Sequence, residues 1–316
     1  MKKTITLPMI FILMLLCGCT GKQENSKTDF LLDTIVKITA DCDDKTLDGA
    51  FDLCARFEKM FSRTIKESDI CKLNEAFGAV EVSPDTITII KRSIFYSELS
   101  DGRFDITIYP VSVLWDFKNS VVPNRDEIAE ALKNVDYHSI IIGKKSVNLG
   151  GKKIDLGGMA KGYIADRIKE YLLQNGASRG IVNLGGNVIV FGDEYTVGIQ
   201  RPFGDDTAAT IKLRDKTAVT SGIYQRYIEQ DGKIFHHIID PLTGYGVENE
   251  LAGVTVIGEC SLDCDALSTV CLLSGTNKGV EIIENIENTE AVFISKNGEI
   301  TLTSGLCRLE NEIIYK

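Results

Sequence analysis

Positive charge is in short supply in this chain. Its 316 residues carry 35 lysines and arginines against 45 aspartates and glutamates, a formal net charge of −10. A nucleic-acid binder needs a basic face, so this balance argues against one. It leaves room for a small anionic ligand held by a few local positive groups and a metal. Cysteine spacings of the metal or redox kind are also absent, with neither Cys-x-x-Cys nor Cys-x-x-Cys-His present. No repeat, low-complexity run or clear linker follows residue 28. What remains, 44% hydrophobic and 25% charged residues, is an ordinary globular composition in a chain long enough for a large core or two subdomains.

The N-terminus reads as an export signal. Lys2 and Lys3 precede an apolar run over 5–16, too short to span a bilayer comfortably. Leu16-Cys17-Gly18-Cys19 follows and resembles a bacterial lipobox, with Cys17 where Ala or Ser is more usual. Cys19 is the expected lipidation site, and a plain secretory signal is the alternative. The reading gives a signal peptide over 1–18, a polar tether over 19–28 and a single folded domain over 29–316, with two subdomains around a cleft also compatible. The expected location is the membrane surface, on the outer face of the cytoplasmic membrane or the periplasmic side. Seven further cysteines remain, an odd number. Cys54, Cys264 and Cys271 fall in helix-like patterns, where cysteine behaves as a small hydrophobe, so mostly free structural thiols are expected.

Periodicity predicts a strand over 30–40 and a helix over 47–61, whose apolar residues share one face. Ser83-Pro84 starts a second helix, with serine as cap and proline at the first helical position. A capped helix is expected over 124–134, and short strands over 140–142, 146–149 and 153–156. The helix over 159–174 stops at Gly176. Strands dominate 180–239, then 251–257 is β-rich, 262–273 and 279–285 are helical, and Asn297-Gly298 marks a hairpin. Strands grouped away from helices indicate an α+β fold, with a mixed or antiparallel sheet core and flanking helices.

Three stretches are candidates for chemistry. In Ile154-Asp155-Leu156-Gly157-Gly158-Met159-Ala160-Lys161-Gly162, a strand end meets a glycine pair and then a helix. Such a turn lets the backbone approach an anion, and the first helical N–H groups and Lys161 add positive charge. It is equally read as a tight connection that needs a positive φ. His236 and His237 precede Asp240-Pro241-Leu242-Thr243-Gly244, a turn; alternation along a strand sends the two imidazoles to opposite faces. Asp265 and Thr269 are four apart on a helix and share a face. Their oxygens suit a hard cation such as Mg²⁺, while N-terminal capping explains the aspartates as well.

Together these stretches resemble the ApbE-type flavin transferases, the FAD:protein FMN transferases, over nearly the whole mature chain and in order. The matching segments are Phe61-Ser62 with Leu73-Asn74; Asp101-Gly102-Arg103-Phe104-Asp105 with Pro110 and Leu114-Trp115; and Asp155 to Gly162. They continue with Asn183-Leu184-Gly185-Gly186-Asn187, Thr220-Ser221-Gly222, His237 to Gly244, and Asp265-Ala266-Leu267-Ser268-Thr269. The resemblance implies an ApbE-like fold and Mg²⁺-dependent transfer of FMN from FAD to a threonine hydroxyl of a target protein, with release of AMP. The implied metal ligands are the Asp265 carboxylate, the Thr269 hydroxyl and main-chain oxygens at Ser268 and Gly158. The implied FAD contacts are Leu32, Thr64, Arg103, Phe104, Asp105, Asp155, Lys161 and Ile239, with His237 for proton transfer or phosphate contact. Thr64 departs from the family, which usually has an aromatic residue there near the adenine. Partners of this family carry a D-x-x-(S/T)-G-A-T segment, which this chain lacks. Two other readings share the site: an FAD pyrophosphatase giving free FMN and AMP, and a non-catalytic flavin-binding lipoprotein.

Overall fold

The computed structural model describes residues 23–316, so the lipobox and Cys19 lie outside the described residues. The strand expected over 30–40 is a hairpin: Asn25–Leu31 pairs antiparallel with Thr34–Ala40, from Asn25↔Ala40 to Leu31↔Thr34. This corrects the polar tether, whose last residues form the outer strand. That strand is mostly exposed, so it carries no apolar alternation and is held by its backbone ladder.

The hairpin forms one edge of an eight-stranded sheet. Across it follow Gly180–Leu184, Asn187–Phe191, Thr217–Gly222, Leu251–Gly258, Glu290–Ser295 and Ile300–Leu302. Every neighbouring pair is antiparallel. Leu251–Gly258 is buried along its full length, because elements cover both faces of the sheet at that point. Helices Ala160–Gln174 and Ser261–Ser274 cover one face. On the other lies a four-stranded sheet of Leu306–Leu309, Glu312–Tyr315, Thr207–Arg214 and Glu194–Gln200, which encloses a second apolar core around Val190, Ile211, Ile257 and Ile313. Its one parallel pair, Glu312–Tyr315 with Thr207–Arg214, makes the fold mixed. The α+β class expected from the sequence is the class observed.

Helix Asp44–Phe61 is capped by Asp43 and Pro84–Leu99 by Ser83, whose hydroxyl accepts the Thr86 N–H. Arg125–Leu132 starts with a complete capping box between Asn124 and Glu127. The strand expected over 153–156 is instead an extended loop. The Asn74 side chain takes the place of a neighbouring strand there: it donates to the Ile154 carbonyl (2.9 Å) and accepts the Ile154 N–H (2.7 Å). A short helix, Asp69–Glu75, positions Asn74 and is too short to show periodicity. A third, smaller apolar cluster holds Val111, Trp115, Ile128 and Ile239, and Trp115 Nε1 donates to the Gly244 carbonyl (3.1 Å). Cys54, Cys71, Cys260, Cys264, Cys271 and Cys307 are free thiols.

Candidate functional site

Helices Ala160–Gln174 and Ser261–Ser274 pack tightly against one another at Gly162. A Cβ there would lie 2.4 Å from the Ser261 carbonyl oxygen and 2.8 Å from Asp265 Cβ, so only glycine permits the approach. Across it the Gly162 N–H donates to Asp265 Oδ2 (2.8 Å), the one hydrogen bond that this carboxylate makes among the described residues. One turn on, Asp166 accepts the N–H groups of Ser261 (3.0 Å) and Leu262 (2.9 Å). The second helix has no side-chain cap of its own, and Asp166 supplies one from the neighbouring helix.

This arrangement leaves a carbonyl free. In a regular helix the Gly162 N–H would bond the Gly158 carbonyl four residues back. Here it turns to Asp265, while the Met159 and Ala160 N–H groups both reach Leu156 (2.9 and 2.8 Å). The Gly158 carbonyl accepts no hydrogen bond among the described residues.

Asp265 is 5% exposed, and burial pushes its carboxyl up to about 6. Lys161 beside it and the Gly162 N–H oppose that rise, and Asp166 adds to it. Two hydroxyls stand on the same helix, Ser268 and Thr269. From the sheet, Ser221 Oγ lies 2.8 Å from Ser268 Oγ and 3.0 Å from Thr269 Oγ1. Ser221 was visible in the sequence only as part of Thr-Ser-Gly, without a role. Its signal was alternation, which puts it on the helix side of the sheet and Thr220 on the other.

No group of three or more His, Cys, Asp or Glu residues among the described residues is placed to hold a metal. The donor set at the crossing is one buried carboxylate, hydroxyls and a free carbonyl. All are oxygen, and the buried carboxylate has a single protein partner, so the set fits a hard cation that keeps part of its water shell.

His237 lies just past the end of strand Lys233–His236, so strand alternation does not set its direction. Its N–H and Nδ1 both meet the Arg226 carbonyl (3.1 and 3.2 Å). Donation from Nδ1 leaves Nε2 as an acceptor. Burial, with the positive charges of Arg226 and Lys161 adding to it, pushes its pKa down to about 4. The imidazole is therefore neutral at neutral pH. His236 is buried with Nε2 3.1 Å from the Val247 carbonyl, and burial pushes its pKa down to about 4 as well.

Asp155 Oδ1 accepts the Gly157 N–H (2.8 Å), and Oδ2 lies 3.2 Å from Arg63 Nη1. That ion pair brings the 62–64 turn against the glycine turn. Thr64 is exposed, and its N–H and Oγ1 bond Ser62 Oγ (3.2 and 3.1 Å). Leu32 sits in a primed turn with Asp33, both at φ +56, and its N–H donates to Glu58 (2.7 Å). Arg103 lies 3.5 Å from Asp240, and both line a cavity of about 510 Å³ with Thr243, Tyr245, Asn249 and Ser274. That cavity is at the far end of the Asp265 helix, about 13 Å along its axis by helical rise.

Three of the residues expected to line the nucleotide cleft have their side chains turned inwards. Asp105 Oδ1 accepts the N–H and the hydroxyl of Thr107 (both 2.7 Å), and Oδ2 accepts the Tyr137 N–H (3.2 Å). Phe104 is buried against Gly158, where a Cβ would meet its ring edge at 3.1 Å. The Ile239 side chain packs in the Trp115 cluster. Local hydrogen bonds and apolar burial hold these three side chains.

The model of the ApbE family matches residues 32–293. A Klebsiella pneumoniae protein named FAD:protein FMN transferase is 36% identical over 272 residues, covering 83% of this chain and 86% of that protein. One of the same name from Treponema pallidum is 28% identical and covers 93% and 92%. The crystal structure of an ApbE protein from Thermotoga maritima superposes with a TM-score of 0.83 at 32% identity, covering 89% of this chain and 97% of that one.

Proposed function

This chain belongs to the ApbE family, and on that premise we propose that it is a Mg²⁺-dependent FAD:protein FMN transferase that acts on a threonine hydroxyl of a partner protein. The threonine oxygen forms a bond to the FMN phosphorus, the bridging P–O bond breaks, and its electron pair leaves with AMP. His237, neutral and with Nε2 unprotonated, receives the hydroxyl proton. Lys161 holds a fixed positive charge beside the pyrophosphate. Leu32, Thr64, Arg103, Asp155 and the main chain at Phe104, Asp105 and Ile239 bind the rest of FAD.

The observation that carries this reading is the Asp265 carboxylate, buried with one hydrogen bond among the described residues, that from the Gly162 N–H, which thereby leaves the Gly158 carbonyl without a helical partner. Asp265, Thr269 and the main-chain oxygens of Gly158 and Ser268 would hold Mg²⁺, which would neutralise pyrophosphate charge when bound. The acceptor is another protein with a D-x-x-(S/T)-G-A-T segment. Within this chain, Thr220-Ser221-Gly222-Ile223 and Thr303-Ser304-Gly305-Leu306 lack the Ala-Thr ending, and Ser221 and Thr303 are buried.

Mass spectrometry after incubation with FAD, Mg²⁺ and an acceptor peptide tests the reading. Flavinylated threonine and AMP are expected. Free FMN and AMP alone mean the pyrophosphatase reading, which the exposed Thr64 favours, and intact FAD means a binding protein. A lipid on Cys19, holding the protein to the outer face of the membrane, belongs to the same proposal. Cys19→Ala should leave the protein unanchored, and normal processing and membrane partition of that variant would exclude the lipid.

A further inference from the structure

Ser221 lies on strand Thr217–Gly222, whose register is fixed against the buried strand Leu251–Gly258 with Ser221 opposite Val254. Its neighbour Thr220 faces the other way and bonds Thr255 Oγ1 (2.8 Å). Ser221 is 8% exposed, and its hydroxyl meets two hydroxyls of the Asp265 helix.

The protons of these three hydroxyls can be counted. Ser268 Oγ lies 3.0 Å from the Asp265 main-chain carbonyl, an acceptor only, so Ser268 donates there. Ser268 then accepts from Ser221 (2.8 Å). Thr269 Oγ1 is 3.4 Å from the same carbonyl, beyond the usual O–H···O range, and 3.0 Å from Ser221 Oγ. Its proton therefore goes to Ser221. The chain runs one way, from Thr269 to Ser221 to Ser268 to the Asp265 carbonyl. It fixes the Thr269 rotor with its proton turned to the sheet and its lone pairs turned away.

We propose that Ser221 is a positioning residue of the transferase: it takes the Thr269 proton so that the Thr269 oxygen is presented, ready oriented, to the cation. The proposal rests on the cation reading above. Without Ser221, Thr269 must turn its proton to the distant Asp265 carbonyl or towards the cation itself, which opposes coordination.

The test measures Mn²⁺ affinity of the metal-stripped full chain by electron paramagnetic resonance of the free ion, with no turnover needed. Ser221→Ala should weaken binding about tenfold, the loss expected for one oriented hydrogen bond. Ser221→Thr keeps the hydroxyl and should stay close to wild type. Where Ser221→Ala does not fold, Ser221→Cys serves in its place, since a thiol has nearly the same shape and is a weak acceptor. Wild-type affinity in Ser221→Ala or Ser221→Cys, or equal loss in Ser221→Thr and Ser221→Ala, overturns the role of Ser221 and leaves the cation reading standing. No Mn²⁺ binding by the wild-type chain overturns the cation reading and this inference with it.

Discussion

At the crossing of Ala160–Gln174 and Ser261–Ser274 the polar contacts are buried or half-buried and held by main chain, Gly162 N–H to Asp265 and the Ser261 and Leu262 N–H groups to Asp166. At the rim, Arg63 meets Asp155 and Arg103 meets Asp240 through long side chains, with both arginine side chains 41% exposed. Pairs with an exposed arginine contribute roughly 0–1 kcal/mol, and the arginine can swing away. A buried carboxylate with one partner cannot rearrange, and its environment sets its proton affinity. The crossing thus suits a fixed ion site, and the rim suits a substrate that arrives, is held and leaves.

The sharpest way to break this contrast is Asp265→Asn, which should abolish turnover and yet stabilise the metal-free fold. The Asp265 pKa is raised by burial from 3.8 to about 6. Its contribution is therefore favourable below the unfolded value and is lost as pH rises through about 6. Ionised Asp265 then costs about 3 kcal/mol at neutral pH relative to a neutral group, at about 1.4 kcal/mol per pH unit. Urea unfolding of both proteins in chelator should show a difference that grows from pH 3.8 to about 6 and is constant above. Equal stability at neutral pH would mean that the carboxylate is solvated.

Gly162→Ala comes next. The added methyl meets the Ser261 carbonyl, so the helices must separate, at roughly 1–3 kcal/mol of stability. A shift of about 1 Å at the ion site should lower turnover about 100-fold. Turnover near wild type, measured under saturating FAD, would show that the crossing tolerates movement.

Thr64→Tyr sharpens the other side of the comparison. A ring at this exposed position should add about 1–3 kcal/mol of stacking on adenine and shift product from free FMN towards flavinylated peptide. An unchanged product ratio removes Thr64 from the account. The smallest effect is expected for Arg103→Ala, about 1 kcal/mol in unfolding free energy, because the Arg103 side chain is exposed and 3.5 Å from Asp240, whose buried carboxylate keeps the Leu242 N–H. A larger loss would make the rim as rigid as the crossing.

The sequence alone determined the local features of this protein. Ser83 and Asn124 were legible as caps, because capping needs only residues three apart. The glycine turn before Lys161 and the Asp265–Thr269 spacing were legible for the same reason, and the motif order pointed to the family. The edge strand Asn25–Leu31 was not, since an exposed strand leaves no apolar period. Tertiary structure alone decided that Gly162 serves Asp265, 103 residues away, that Asp166 caps a foreign helix, and that Asn74 replaces a strand beside Ile154. It also decided that Asp105 faces inwards, that His237 stays neutral, and that Ser221 meets Thr269. Each of these depends on which buried partner fills the space at a side chain, and periodicity gives the face a residue occupies without naming what lies across from it.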